Sequence, residues 1–150
     1  MARLKTNFAN EAPYSLAHGI ALGRAFGLSE AQIAAIGTDA GMSSPVFTPR
    51  ERAALQWAAC VAHNTAKHRD DVFEELKTHY NDAEIVELTG LCALANMMDR
   101  FHNALRIPLE TPAEIEALNR SPWIDPAAIR TYLQTILASW PQELPVPVAA

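Results

Sequence analysis

The sequence predicts an all-α fold, a compact bundle of about seven helices. Helix-start signals recur along the chain, and the apolar residues between them repeat at helical spacing, as at Ile85, Leu88, Cys92 and Ala95. No segment alternates between apolar and polar residues as a half-buried strand would. The 150 residues are 49% hydrophobic and 19% charged, which is an ordinary globular balance with enough length for one core.

Most helix starts are marked by a capping side chain, often with Pro at the first helical position and Glu or Gln three residues after the cap. These starts are Ser29 with Gln32, Thr48 with Pro49 and Glu51, Asn81 with Glu84, Thr111 with Pro112 and Glu114, and Asp125 with Pro126. Gly27, Pro108 and Pro141 mark helix ends. The pattern predicts helices over residues 13–26, 30–38, 49–66, 71–80, 82–105, 112–119 and 126–139, with a loop over 39–47.

The predicted helix over residues 82–105 is expected to be the central element. Between Leu91 and Met98 it is apolar nearly all round, which is typical of a helix buried on most sides. Because so short a chain rarely surrounds a helix by itself, we expect another copy of the chain to cover part of it. The proline-rich tail at 144–148 is predicted to be extended, since its prolines exclude a helix.

Composition excludes several classes of partner. The formal net charge of -5 provides no attractive field for nucleic acid, and no run of Lys or Arg offers a local exception. No apolar stretch reaches the roughly 20 residues that cross a bilayer, and the N-terminus lacks the apolar block of a secretory signal. We therefore expect a cytoplasmic protein. Cys60 and Cys92 lie within apolar helical patterns and are predicted to be buried free thiols.

Five short phrases occur in a recognisable order: APYS at 12–15, FGLS at 26–29, FTPRERAAL at 47–55, NDAEIVEL at 81–88 and NALRIPLE at 103–110. Together they resemble the carboxymuconolactone decarboxylase family, which includes alkylhydroperoxidase D. The resemblance covers roughly residues 4–110. It implies an all-α domain over 1–110 that assembles as a trimer or hexamer. Residues 111–150 lie outside the resemblance, and their helix-start signals predict a helical extension packed on the same domain or on a neighbouring subunit.

The resemblance breaks at the residues that carry the family's redox chemistry. The peroxidase branch has a Cys-x-x-Cys pair at a helix start and a His four residues after the second Cys, and these positions correspond to Ala12, Ser15 and Gly19. Without a thiolate nucleophile, thiol peroxidase activity is disfavoured. In relatives, a further helix precedes this motif and packs beside it. In this chain, by contrast, we expect no helix before Pro13.

The decarboxylase branch of the family also lacks these cysteines, so the resemblance still allows a cofactor-free reaction. Removing carbon dioxide needs a proton delivered to carbon and polar groups that hold an acid. His18 is the candidate proton donor or acceptor, although it lies one residue before the family's His position and is therefore rotated by about 100° on a helix. Candidate substrate-binding residues are Tyr14, Ser15, Arg100 and His102, with Arg24 as a further cation on these helices.

Ordinary structural roles compete with each of these assignments. Asp99 and Arg100 interrupt an apolar helix, where an ion pair at a subunit contact would also explain them. His63 and His68 are five residues apart and lack a metal-binding context, so we expect no metal and no cofactor.

Three hypotheses follow. The first is a cofactor-free lyase or decarboxylase acting on a small organic acid or lactone. The second is a non-catalytic member of the family that binds a small molecule or serves as a scaffold. The third is a peroxidase using Cys60 or Cys92, which requires one of these thiols to be exposed and of depressed pKa.

Overall fold

The computed structural model of the protein describes residues 1–38, 40–117 and 126–140. Within these residues there are eight α-helices and no strand, which confirms the predicted all-α fold. The helices are α1 (Ala2–Ala9), α2 (Pro13–Ala25), α3 (Glu30–Ile36), α4 (Pro49–Ala62), α5 (Asp70–Lys77), α6 (Asp82–Leu105), α7 (Pro112–Ala117) and α8 (Pro126–Ala138). None of them is long and apolar enough to span a membrane.

The predicted capping boxes set several of these helix starts. In α3, α4 and α6 the capping side chain accepts a hydrogen bond from the third helical N–H, and that residue's side chain accepts one from the cap's own N–H. Thr111 and Glu114 make the same exchange at the start of α7. The predicted cap Asp125 and the predicted tail 144–148 lie outside the described residues.

The expectation that no helix precedes Pro13 is wrong. Helix α1 packs against α2, α4 and α6, and five of its eight residues are buried, with Leu4 3% exposed and Thr6 0% exposed. Its first residue follows Met1, and no capping side chain marks its start. The helix is therefore stabilised by the burial of its sides and not by a local start signal, which is why the sequence pattern did not predict it.

Several other predicted boundaries shift, and the two changes below alter the connections most. The helix predicted over 49–66 ends at Ala62, because Asn64 adopts a left-handed conformation with φ of 56° and a short 3₁₀ turn, Ala66–His68, follows. Part of the predicted loop 39–47 is also a 3₁₀ turn, Ala40–Ser43. Both changes affect connections and leave the helix order as predicted.

The core lies where α1, α4 and α6 pack together. Ala58 on α4 and Cys92 on α6 are fully buried beside Ala2 of α1. Helix α6 is central, but burial on most of its sides is not observed in the single chain. Its outer face exposes apolar side chains at helical spacing: Leu91, Leu94, Met98, Phe101 and Leu105.

Candidate functional site

The first turns of α2 and the last turn of α6 bring four of the predicted site residues together. Tyr14 and His18 are four residues apart on α2 and therefore share a face, with ring centroids 4.4 Å apart. The His102 ring lies 4.6 Å from the Tyr14 ring. Ser15 Oγ lies 3.3 Å from His102 Nδ1. These contacts place one tyrosine ring between two imidazoles.

Glu110, in the segment between α6 and α7, closes this cluster. Tyr14 Oη donates a hydrogen bond of 2.7 Å to Glu110 Oε1, and His18 Nε2 lies 3.1 Å from Glu110 Oε2. His18 Nδ1 lies 3.1 Å from the Tyr14 carbonyl oxygen. Both imidazole nitrogens therefore face oxygen acceptors, and the two bonds form together only when both nitrogens carry protons.

The hydrogen bond between Tyr14 and Glu110 changes the pKa values of the two groups in opposite directions. The hydrogen bond from the phenol lowers the pKa of Glu110 below its ordinary value of 4.5, with a smaller contribution from His18. The same bond raises the pKa of Tyr14 above its ordinary value of 10.0. At neutral pH the site therefore contains a carboxylate held by a protonated phenol.

The two positions that correspond to the family's cysteines are buried. Ala12, the residue before the first turn of α2, is 0% exposed, and Ser15 is 3% exposed. Neither side chain contains sulfur. The two thiols of this chain are elsewhere and are also buried, Cys60 on α4 and Cys92 on α6. Burial raises the pKa of the Cys92 thiol, which disfavours the nucleophilic thiolate.

The position that corresponds to the family's His is Gly19, which packs against the Asn7 and Leu4 side chains of α1 and also borders the larger cavity described below. A Cβ added at Gly19 would lie 3.0 Å from Asn7 Oδ1 and 3.1 Å from Leu4 Cδ1. Both distances are shorter than an ordinary van der Waals contact. A side chain at position 19 therefore requires α1 to adjust.

Asn7 belongs to a buried polar network that joins α1 to α6. Its Nδ2 donates a bond of 2.8 Å to Asp99 Oδ1, and Asn10 Nδ2 donates one of 2.9 Å to Asp99 Oδ2. Asn10 Nδ2 also lies 2.6 Å from Asn96 Oδ1. Asp99 is 0% exposed. The sequence suggested an ion pair for this residue, whereas amide groups bind it within the described chain.

The two predicted arginines do not join the cluster. Arg100 is exposed and makes no hydrogen bond or ion pair with the residues that the structure describes. Arg24 pairs with Glu30 at 2.7 Å near the end of α2. In the described part of the chain, no group of three or more His, Cys, Asp or Glu side chains is placed to hold a metal ion.

Sequence analysis missed two residues of this region, Glu110 and Asn7. Glu110 ends the last of the family-like phrases, and it directly precedes a predicted helix start, so its position near α2 could have been suspected. Asn7 carries no such signal, because α1 itself was not predicted.

Two cavities border α1 and α2. The larger, of 560 Å³, is lined by apolar residues that include Leu4, Leu22 and Phe26, and also by Gly19. The smaller, of 280 Å³, is lined by Asn7, Ser15 and Asp99 and by apolar residues of α6. Tyr14, His18 and His102 line neither cavity, so the cluster around Glu110 is a surface site.

Comparison with known proteins agrees with this fold. The solved structure of ATU0492 from Agrobacterium tumefaciens, a protein of unknown function suggested to be the antioxidant defence protein AhpD, matches with a TM-score of 0.68 and 29% identity. That match covers 73% of this chain and 75% of the other. The uncharacterised protein YnjA of Escherichia coli is 33% identical over 67 residues, which are 45% of this chain and 37% of YnjA. No family profile matches the chain.

The helical architecture and the structural match define a protein of the alkylhydroperoxidase D-like fold class. The chain is similar in fold and sequence to the AhpD-like protein ATU0492, and it has no Cys-x-x-Cys motif.

Proposed function

We propose that the protein binds a small organic acid or lactone between Tyr14 and His18 and acts on it as a cofactor-free lyase of the decarboxylase type. The observation that carries the proposal is the position of the Glu110 carboxylate. It receives the Tyr14 hydroxyl at 2.7 Å and lies 3.1 Å from His18 Nε2. A carboxylate of a substrate has the same acceptor geometry, so it can take this position when Glu110 moves away.

Several features make Glu110 the exchangeable partner. It lies in the connection between α6 and α7, and its side chain is 38% exposed, whereas His18 is 16% exposed. Tyr14 and His18 are on one helix and stay fixed relative to each other. Glu110 therefore competes with the substrate carboxylate for this position. The measured affinity for the substrate is lower than that of a site from which Glu110 has already moved away.

The proposed decarboxylation needs a proton donor and no cofactor. The bond between the leaving carboxylate and its carbon breaks, carbon dioxide departs, and the electron pair remains on the carbon next to a carbonyl group. His18, released from Glu110 by the substrate, donates its Nε2 proton to that carbon and is protonated again from water. Tyr14 donates a hydrogen bond to the substrate carboxylate until carbon dioxide departs, because a phenol is protonated at neutral pH.

A second candidate function is binding without catalysis. It is favoured by Gly19, which replaces the family's His, and by the engagement of both His18 nitrogens. In this case the same carboxylate position serves only to hold a ligand. Antioxidant activity, suggested for ATU0492, is not part of the proposal, because Ala12 and Ser15 supply no thiol.

The test measures binding of succinate and of paraconate, a five-membered lactone carboxylate, by titration calorimetry. We expect Tyr14→Phe and His18→Gln to weaken binding about tenfold each, because each loses one hydrogen bond to a charged group. Glu110→Gln is expected to strengthen it, since the internal competitor loses its charge. His79→Gln is the matched control, because His79 pairs with Glu75 at the same 3.1 Å.

Equal affinity in wild type and in the Tyr14→Phe and His18→Gln variants would contradict the proposed site. Release of carbon dioxide from a panel of lactone carboxylates, measured in the same variants, separates the two functions. Turnover that falls in His18→Gln supports the lyase, and binding without turnover supports the second candidate.

We also propose that the protein assembles with itself through the outer face of α6. Leu94, Phe101 and Leu105 on this face are each more than half exposed, and α8 exposes Tyr132 and Leu137 as well. Exposed apolar helix faces of this kind are typical of an interface, and the extension beyond residue 110 can pack on a neighbouring copy.

We expect light scattering at micromolar concentration to give a trimer or hexamer, and Phe101→Asp to shift it to smaller species. The exposed substitution Glu87→Ala is the control on the same helix. A monomeric wild-type protein would contradict this assembly.

A further inference from the structure

Helix α8 has an apolar stripe that the chain leaves exposed to water. Ile129, Leu133 and Ile136 recur at spacings of four and three residues, with Tyr132 and Leu137 beside them, and these residues form the α8 stripe. Every described side chain of α8 except Ile136 is exposed. The helix has a single charged residue in its sequence, and an isolated helix of 13 residues is marginal in water. We therefore expect another apolar surface to cover α8.

The outer face of α6 has a matching stripe, the α6 stripe, formed by Leu91, Leu94, Met98, Phe101 and Leu105. The spacings alternate between three and four residues, which is the repeat of a helix that packs lengthwise against a second helix. At a rise of about 1.5 Å per residue, the α6 stripe is about 21 Å long and α8 is about 20 Å long. The two stripes therefore match in length and in chemical character.

Both stripes belong to one chain, and neither covers the other within it. Leu94 of the α6 stripe is 55% exposed, and Leu133 of the α8 stripe is 52% exposed. In this arrangement of the chain, the two stripes can meet only between copies.

We propose that α8 of one copy packs along the α6 stripe of the next copy, an inference that rests on the self-assembly proposed above and names its contact. The two surfaces in this contact differ, so each copy offers its α6 stripe to one neighbour and its α8 to another. Contacts of this heterologous kind can close into a ring, as a trimer requires. Pairing of two α6 stripes would instead give a dimer with two-fold symmetry.

The first test measures the mass of the assembly by sedimentation velocity in wild type and in Leu133→Asp. The new carboxylate would be buried against apolar side chains, so we expect the dissociation constant of the assembly to rise at least about tenfold. Gln134→Asp is the matched control, since it adds the same charge on the polar side of α8. Leu133 is exposed in the single chain, so its replacement leaves the packing of α1, α4 and α6 intact, which circular dichroism checks.

A mixing experiment identifies the surface that α8 covers. Phe101→Asp alters only the α6 stripe and Leu133→Asp alters only the α8 stripe, so neither variant alone can form an intact contact between α6 and α8. In an equal mixture, the unaltered α6 stripe of one variant can pair with the unaltered α8 of the other. We therefore expect a species of two chains that neither variant forms alone. A contact between two α6 stripes, or between α6 and α8 of the same chain, would give no such species.

The outcomes separate this contact from the assembly itself. Recovery of the two-chain species only in the mixture supports the proposal. Its absence, or a Leu133→Asp variant that assembles as wild type does, overturns the contact with α8. In that case, dissociation by Phe101→Asp would still support assembly through α6. A monomeric wild-type protein would overturn both.

Discussion

Asp99→Ala is expected to lower the free energy of unfolding by about 3 kcal/mol. The substitution leaves the side-chain amides of Asn7 and Asn10 without their carboxylate acceptor, and Asn7 is 1% exposed, so water does not replace the lost bond. An unsatisfied buried donor costs about 1–3 kcal/mol. Urea unfolding followed by circular dichroism, at one protein concentration for all variants, gives the value.

Arg100→Ala is the control for Asp99→Ala, since it changes the adjacent residue of the same helix. Arg100 is exposed, and its replacement is expected to change stability by less than about 0.5 kcal/mol. The pair Asn7→Ala and Asp99→Ala tests the contact directly. Because the two residues share a hydrogen bond, the double variant should be more stable than the sum of the single effects predicts, by about 1 kcal/mol. Strict additivity, or a loss below about 1 kcal/mol for Asp99→Ala, would show that the network does not stabilise the fold.

Helices with local start signals were predictable from sequence, whereas α1, which has neither a capping side chain nor a proline at its start, was not. Ser29, Thr48 and Asn81 form the hydrogen bonds that their spacing implies. Helix α1 lacks a capping side chain, and its stability comes from packing against α2, α4 and α6, a property of the assembled fold. Helix ends were less predictable, because the left-handed Asn64 that follows α4 belongs to no strong sequence pattern.

The candidate site was partly predictable for the same reason. Tyr14 and His18 share a face because they are four residues apart, and helix geometry alone implies this. Arg100 does not join the cluster around Tyr14 and His18 because each residue turns a helix by about 100°, and Asp99 beside it is the one that points inward. The approach of Glu110 to α2 depends on how the chain turns after α6, where Arg106 adopts a left-handed conformation.

Gly19→His, which restores the family's residue, is expected to destabilise the protein by about 2 kcal/mol. A Cβ at this position would already lie 3.0 Å from Asn7 Oδ1 and 3.1 Å from Leu4 Cδ1, which is closer than an ordinary van der Waals contact, so both side chains of α1 have to shift. Gly19→Ala is expected to cost less, because Leu4 has a flexible end that can move. Gly90→Ala is the matched control, since no atom lies within 4 Å of its added Cβ, and alanine is the better helix former there.

A double-variant cycle then identifies what fills the family's histidine position. If Asn7 is the obstacle, Gly19→His should cost less in the Asn7→Ala background than in wild type, by about 1 kcal/mol or more. If the cost is the same in both backgrounds, the obstruction comes from Leu4 or from the backbone of α1. A Gly19→His variant as stable as wild type would contradict the packing itself. The expected coupling would mean that the Asn7 side chain and a side chain at position 19 compete for the same space between α1 and α2.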